Sequence, residues 1–226
     1  MMGIYVISIA FMLIGFLISM QLKRRFTQYS QTPISSGLSG QEIAVKMLRD
    51  HDINDVKVIS VEGRLTDHYN PLDKTLNLSH DVYYGRNAAA AAVAAHECGH
   101  AVQHARAYSM LQLRSTLVPV VSFASQWVHW VLLGGILMIN SFPSLLLIGI
   151  ILFASTTLFS FVTLPVEFDA SKRALAWLEN SRVTNSMEHT RSKDALFWAA
   201  MTYVVAALSA LATLMYYVMI YMGRRD

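Results

Sequence analysis

Apolar residues fall into four long runs, at residues 3–22, 117–139, 144–165 and 195–223, and the polar residues gather between them. Each run reaches the roughly 20 residues a helix needs to cross a bilayer, so the pattern predicts four transmembrane helices. The basic cluster of the first run, Lys23-Arg24-Arg25, follows the apolar stretch, and no small-residue cleavage site accompanies it. That order reads as a retained anchor, not a signal peptide.

The polar segment at residues 23–116 has the signals of a membrane-proximal α+β domain. Residues 26–38 are turn-rich and read as a linker. Ser39-Gly40-Gln41-Glu42 is a capping box opening an amphipathic helix through about Arg49. Its apolar positions Ile43, Val45, Met47 and Leu48 are expected to cover a small core. A strand is predicted over Val56–Val61. Two further extended runs, residues 64–69 and 75–79, flank the turn Asn70-Pro71-Leu72-Asp73 as a hairpin. The hairpin leads to an Ala-rich helix at about residues 87–106, with Asn87 as its N-cap. Residues 166–194 predict a second polar helix and a loop, with Pro165 in the helix's first turn. The fold class expected is a mainly α-helical multi-pass membrane protein, with four spans and a small α+β domain at the membrane surface.

Composition agrees with that pattern. Of 226 residues 54% are hydrophobic and 15% charged, where a soluble domain carries about a quarter. The net charge of +3 is spread over several loops, so no nucleic-acid surface is expected. Lys and Arg number 11 in residues 23–116, 5 in 166–194 and none in the link 140–143. The positive-inside rule therefore puts both polar segments in the cytoplasm, under a plasma membrane. Arg224 and Arg225 fall on the opposite side and are outweighed. Trp127, Trp130, Trp198, Tyr216 and Tyr217 read as interfacial anchors, and His129 as facing the other spans. The lone cysteine, Cys98, excludes an internal disulfide and reads as a small helical filler.

The Ala-rich helix carries His96-Glu97-Cys98-Gly99-His100. Two histidines four residues apart share a helix face, about 6 Å apart along the axis, and so can bind one Zn²⁺. Glu97 is placed to take a proton from a water on that ion. Such a motif also arises by chance in helices. Here a glutamate between two histidines on a small apolar helix is hard to explain as solvated surface. The small residues Ala94, Ala95, Ala101 and Val102 leave room for a second helix, and the preceding hairpin offers an edge for substrate.

A third ligand is needed. Metzincins place a glycine and then a further histidine beyond the motif, but Gln103 and Arg106 occupy those positions. His104 sits one turn past His100, where a straight helix cannot bring it to the same ion. Glu167 is the preferred candidate, because two membrane crossings separate it from His100 and return it to the same side. Asp169, two residues on, faces elsewhere and suits the helix N-terminal dipole.

His96-Glu97-x-Gly99-His100-Ala101-Val102-Gln103, with residues 65–71 and Pro165-x-Glu167-Phe168-Asp169-Ala170-Ser171, resembles the YugP-type bacterial membrane zinc metallopeptidases over nearly the whole chain. It is more distantly similar to the heat-shock and CAAX-prenyl membrane proteases. The resemblance implies Glu167 as third ligand and a serine, Ser171, where those relatives carry an aspartate. Asp169 is the nearest substitute for that carboxylate. The implied activity is peptide-bond hydrolysis at one Zn²⁺ held by His96, His100 and Glu167, gluzincin-like, with Glu97 as general base. Peptides or membrane proteins are the expected substrates, and the lipid bilayer the surroundings. His68, Tyr83, Tyr84 and Arg173 are candidates for stabilising the oxyanion.

Two rivals are weighed. An intramembrane protease would bury its metal in the bilayer, but Glu97, His100, Gln103 and His104 make the motif helix a poor span. A zinc-containing scaffold without turnover needs a closed, four-ligand site, and the sequence offers no fourth ligand.

Overall fold

The computed structural model describes residues 2–223. Its elements in chain order are α1 (Met2–Ser30), α2 (Gly40–Asp50), β1 (Lys57–Val61), β2 (His68–Asn70), β3 (Thr75–Ser79), α3 (His80–Tyr83), α4 (Ala88–Ala105), α5 (Ser109–Leu137), α6 (Pro143–Asn180) and α7 (Ser186–Met222). Helices α1, α5, α6 and α7 are each long and apolar enough to cross a membrane. The chain is therefore a mainly helical membrane protein with a small α+β part.

These helices outrun the apolar stretches that predict them. With 38 residues, α6 is about 57 Å long at 1.5 Å per residue, well beyond a hydrocarbon core of about 30 Å. The polar residues after Pro165 thus belong to the same helix as the apolar run before it. Pro165 does not begin a helix as predicted, because α6 runs straight through it. Proline lacks the N–H that would bond the Phe161 carbonyl four residues back, so the helix runs on with one hydrogen bond fewer.

The chain divides into two compact units. The first comprises the chain up to Leu17, Gln112–Pro165 and the chain from Thr202 onward. Its buried cluster is Val128, Leu132, Leu146 and Ile150. A Cβ on Gly135 would lie 2.5 Å from the Leu146 Cα, so only glycine lets these two backbones approach as they do. Large apolar side chains such as Phe16, Phe123 and Leu137 remain exposed, as expected of a surface covered by lipid. His129 is exposed as well, contrary to its predicted inward orientation. One residue past buried Val128, it is turned about 100° off the packed face. Arg224 and Arg225 lie outside the described residues.

The second unit comprises Ile18–Leu111 and Val166–Met201. Its core packs α2, β3 and α3 around α4, with Ala174, Trp177 and Leu178 from α6. Ala88–Ala92 are at most 1% exposed, and their methyl side chains let neighbouring elements pack close. Both bonds of the Ser39/Glu42 capping box are present at the start of α2. Ile43, Ala44, Met47 and Leu48 form its buried stripe, but Val45 is 39% exposed. Two residues from Ile43, Val45 projects about 200° around the helix, so Ala44 takes the core position predicted for it.

The sheet has the order β1-β3-β2, with β1 parallel and β2 antiparallel to β3. The predicted hairpin exists, but its first arm is only His68–Asn70. Gly63 and Leu65 take left-handed φ of 102° and 59°, which breaks the extended run expected over residues 64–67. Asp67 then accepts hydrogen bonds from the Ser79 N–H and hydroxyl, at 2.7 and 3.1 Å, and fixes the bend on the end of β3. At the turn, Asn70 Oδ1 accepts from the Leu72 N–H.

Candidate metal centre

All of the site lies within the second unit, on α4, α6 and β2. The side chain of Asn87 caps the first turn of α4 by accepting from the Ala90 N–H at 2.9 Å. From there the helix carries His96 and His100 one above the other, ring centroids 4.8 Å apart and nearly perpendicular. The polar part of α6 crosses α4 closely. A Cβ on Gly99 would stand 2.6 Å from the Ala170 carbonyl oxygen, so the glycine of the motif allows the crossing. That approach carries Glu167, which is 3% exposed, up to both imidazoles.

Glu167 Oε2 lies 3.3 Å from His96 Nε2 and 3.6 Å from His100 Nε2. Four ligand atoms about 2.0–2.1 Å from a tetrahedral zinc are roughly 3.3–3.4 Å from one another. The ligand atoms of His96, His100 and Glu167 all fall within 4.8 Å of each other, and the donor set suits zinc. The outward nitrogens of both rings are engaged. His96 Nδ1 is 3.1 Å from Ser171 Oγ, and His100 Nδ1 is 3.0 Å from Gln103 Oε1. Both Nε2 atoms are therefore the ones presented to the carboxylate.

Burial disfavours a proton on His100, yet its hydrogen bond to Glu167 and the charges of Glu97 and Glu167 hold its pKa above the ordinary histidine value. The cluster thus favours positive charge at the point where a cation would sit. Burial and the Glu97 charge push the Cys98 thiol well up, so it stays protonated as a small filler.

Glu97 Oε2 accepts the Tyr69 backbone N–H at 3.1 Å, which places β2 across the general-base candidate. Burial raises the pKa of Asp67 despite its two bonds from Ser79, and the Glu97 charge adds to the rise. His104 lies off the cluster, its Nδ1 2.8 Å from the Tyr69 hydroxyl. Asp169 does not reach the imidazoles. It accepts from Gln103 Nε2 at 2.8 Å and from Arg173 Nε at 2.5 Å. Arg173 also stacks over Tyr108, so this oxyanion candidate is committed elsewhere. Of the others, His68 is on β2 beside Tyr69, while Tyr83 and Tyr84 are at the end of α3 in ring contact with each other.

From sequence, Gln103 has no role at the metal, only a place in the family motif and among the polar residues of the motif helix. The signal that marks it is its place one turn after His100 on the same face of the helix.

The comparisons with known proteins cover the same residues. A family model described as "Putative neutral zinc metallopeptidase" matches residues 4–222. The "Putative membrane protease YugP" of Bacillus subtilis (strain 168) is 41% identical over 220 residues, which is 97% of either chain. No solved structure matches.

Proposed function

The chain belongs to the neutral zinc metallopeptidase family, and on that footing we propose that it hydrolyses peptide bonds at one zinc ion held by His96, His100 and Glu167. The observation that carries the reading is the convergence of two imidazole nitrogens on one carboxylate oxygen, 3.3 and 3.6 Å away, with a second carboxylate, Glu97, next in sequence to His96. Two histidines from the motif and a glutamate from another helix make a gluzincin-type set, with a fourth position left for water or substrate.

When bound, zinc supplies a Lewis acid that acidifies water and polarises the scissile carbonyl. The residues of this chain do the rest. Glu97 accepts the proton of the attacking water on its carboxylate and returns it to the departing amine. Tyr69 N–H donates to Glu97 and not to β3, so the outer edge of β2 faces the base. A peptide added along that edge as a further strand would take this N–H with its own carbonyl and release Glu97 for proton transfer. Peptides in extended conformation, including exposed segments of membrane proteins, are the substrates such an edge admits.

The excess of Lys and Arg in residues 23–116 and 166–194 supports a site on the cytoplasmic face of the plasma membrane. That Glu167 follows directly on the apolar run ending at Pro165 supports chemistry at the membrane surface.

Glu97→Gln keeps a hydrogen-bonding group but removes the base. The expected outcome is retained zinc with peptidase activity lowered about 10²–10⁴-fold, measured on peptide and membrane-protein substrates with the full chain in detergent. Unchanged activity would overturn the role of Glu97. Stoichiometric zinc in a wild-type chain that cleaves nothing would favour the scaffold reading.

A further inference from the structure

Gln103 is completely buried and uses both ends of its amide. Its Oε1 is 3.0 Å from His100 Nδ1, while its Nε2 donates at 2.8 Å to the Val166 carbonyl and at 2.8 Å to Asp169 Oδ2. The two partners of Nε2 are acceptors only, so the amide cannot be turned around. Oε1 in turn accepts only, so Nδ1 of His100 carries a proton, and Nε2, facing Glu167, is the nitrogen that binds a metal once its own proton is lost. His96 has no such constraint, because the Ser171 hydroxyl at its Nδ1 either donates or accepts.

The residues that Gln103 grips on α6, Val166 and Asp169, flank Glu167. One side chain therefore fixes the tautomer of a ligand on α4 and the helical register of a ligand on α6. Asp169 is held in turn by Arg173, whose guanidinium lies 5.8 Å from the Tyr108 ring. The line His100–Gln103–Asp169–Arg173 ends at an aromatic face outside the metal cluster.

We propose that Gln103 is a positioning residue of the metal centre, which ties the ligand-bearing segments of α4 and α6 together and sets zinc affinity through His100 and Glu167. Here a neutral amide relays to a carboxylate, in the place where a carboxylate often meets a ligand histidine directly. This inference rests on the reading that His96, His100 and Glu167 hold zinc.

The test uses the full-length protein in detergent, with zinc affinity from chelator competition and the visible spectrum of the Co²⁺-substituted form as readouts. Gln103→Leu is expected to weaken zinc about 10–100-fold and to alter the cobalt spectrum. Gln103→Glu keeps an acceptor for His100 Nδ1 but turns a carboxylate oxygen on the Val166 carbonyl and Asp169, and is expected to weaken zinc similarly. Asp169→Asn alone keeps an oxygen that can accept from both Gln103 Nε2 and Arg173 Nε, and is expected to stay within about tenfold of wild type with an unchanged spectrum. Wild-type zinc affinity in Gln103→Leu would overturn the proposal, and so would a wild-type cobalt spectrum in that variant, the outcome a purely structural role would give. A wild-type chain that takes up no zinc would instead overturn the metal reading, and this inference with it.

Discussion

The two helices that meet at the candidate centre contribute in opposite ways. α4 is short, capped by its own Asn87 and buried along most of its length. It brings both imidazoles and the Glu97 base from a single turn. α6 is 38 residues long, apolar for its first part and polar from Glu167. It brings one carboxylate, the Ser171 hydroxyl beside His96, and the Val166 carbonyl and Asp169, which hold Gln103 of α4 against His100. The donors come from a local motif, and their aim comes from a distant helix. Chemistry at such a site depends on the crossing of the two helices at least as much as on the motif.

The sharpest way to break this division is to remove the single ligand supplied by α6. Glu167→Ala leaves the whole H-E-x-x-H motif intact. If α6 completes the site, the variant purifies without stoichiometric zinc, as metal analysis after dialysis will show. Full zinc retention would mean that α4 holds the metal without α6.

A smaller effect is expected from disturbing the crossing without touching a ligand. Gly99→Ala puts a Cβ 2.6 Å from a backbone oxygen of α6. Backbone cannot swing aside like a flexible side chain, so the helices must separate. The expected cost is about 1–3 kcal/mol of stability, measured by denaturant unfolding, together with weaker zinc binding. Stability lost with zinc affinity unchanged would show that the ligands tolerate a wider crossing.

Much of α4 and α2 was legible in the sequence because the signals are local. Asn87 and the Ser39/Glu42 box announce helix starts within a few residues, and the motif spacing sets two imidazoles on one face. Glu167 was reached by counting crossings, a topological argument that needs no contact information. What stayed illegible depends on backbone conformation or on tertiary partners. Left-handed φ at Gly63 and Leu65 shortens β2, although the residues around them suit a strand. Val45 looks like core until the direction of α4 decides which stripe of α2 is covered. Pro165 reads as a helix start because nothing local reveals that α6 continues through it. The relay through Gln103 becomes visible only when α6 is laid beside it.

Proton competition offers a milder probe of the charge that the two helices share. Glu97 and Glu167 hold the His100 pKa above its ordinary value of 6.5, and zinc can bind only the deprotonated imidazole. The sign follows from that. With a raised pKa, the proton still competes above pH 6.5, and zinc affinity rises with pH until His100 is fully neutral. Below that pKa the expected slope from this group is about tenfold, or about 1.4 kcal/mol, per pH unit. Chelator-competition titrations between pH 6 and 8 measure it. A flat profile over that range would show that the carboxylates do not hold a proton on the site.

The smallest effect belongs to the start of α4. Asn87→Ala removes the acceptor for the Ala90 N–H and leaves a helix-start donor without its side-chain partner, at a cost of about 1 kcal/mol. The loss is confined to the first turn, well upstream of His96, and the turns between are locked by buried alanines against α2. Unfolding should therefore register the change while zinc affinity stays within about twofold, a difference of about 0.4 kcal/mol. α6 has no counterpart to this cap near its ligand, because Glu167 follows Pro165 inside a continuous helix. If Asn87→Ala weakens zinc as much as it weakens the fold, then α4 aims its own histidines from its N-terminus, and the orienting role assigned to α6 is shared.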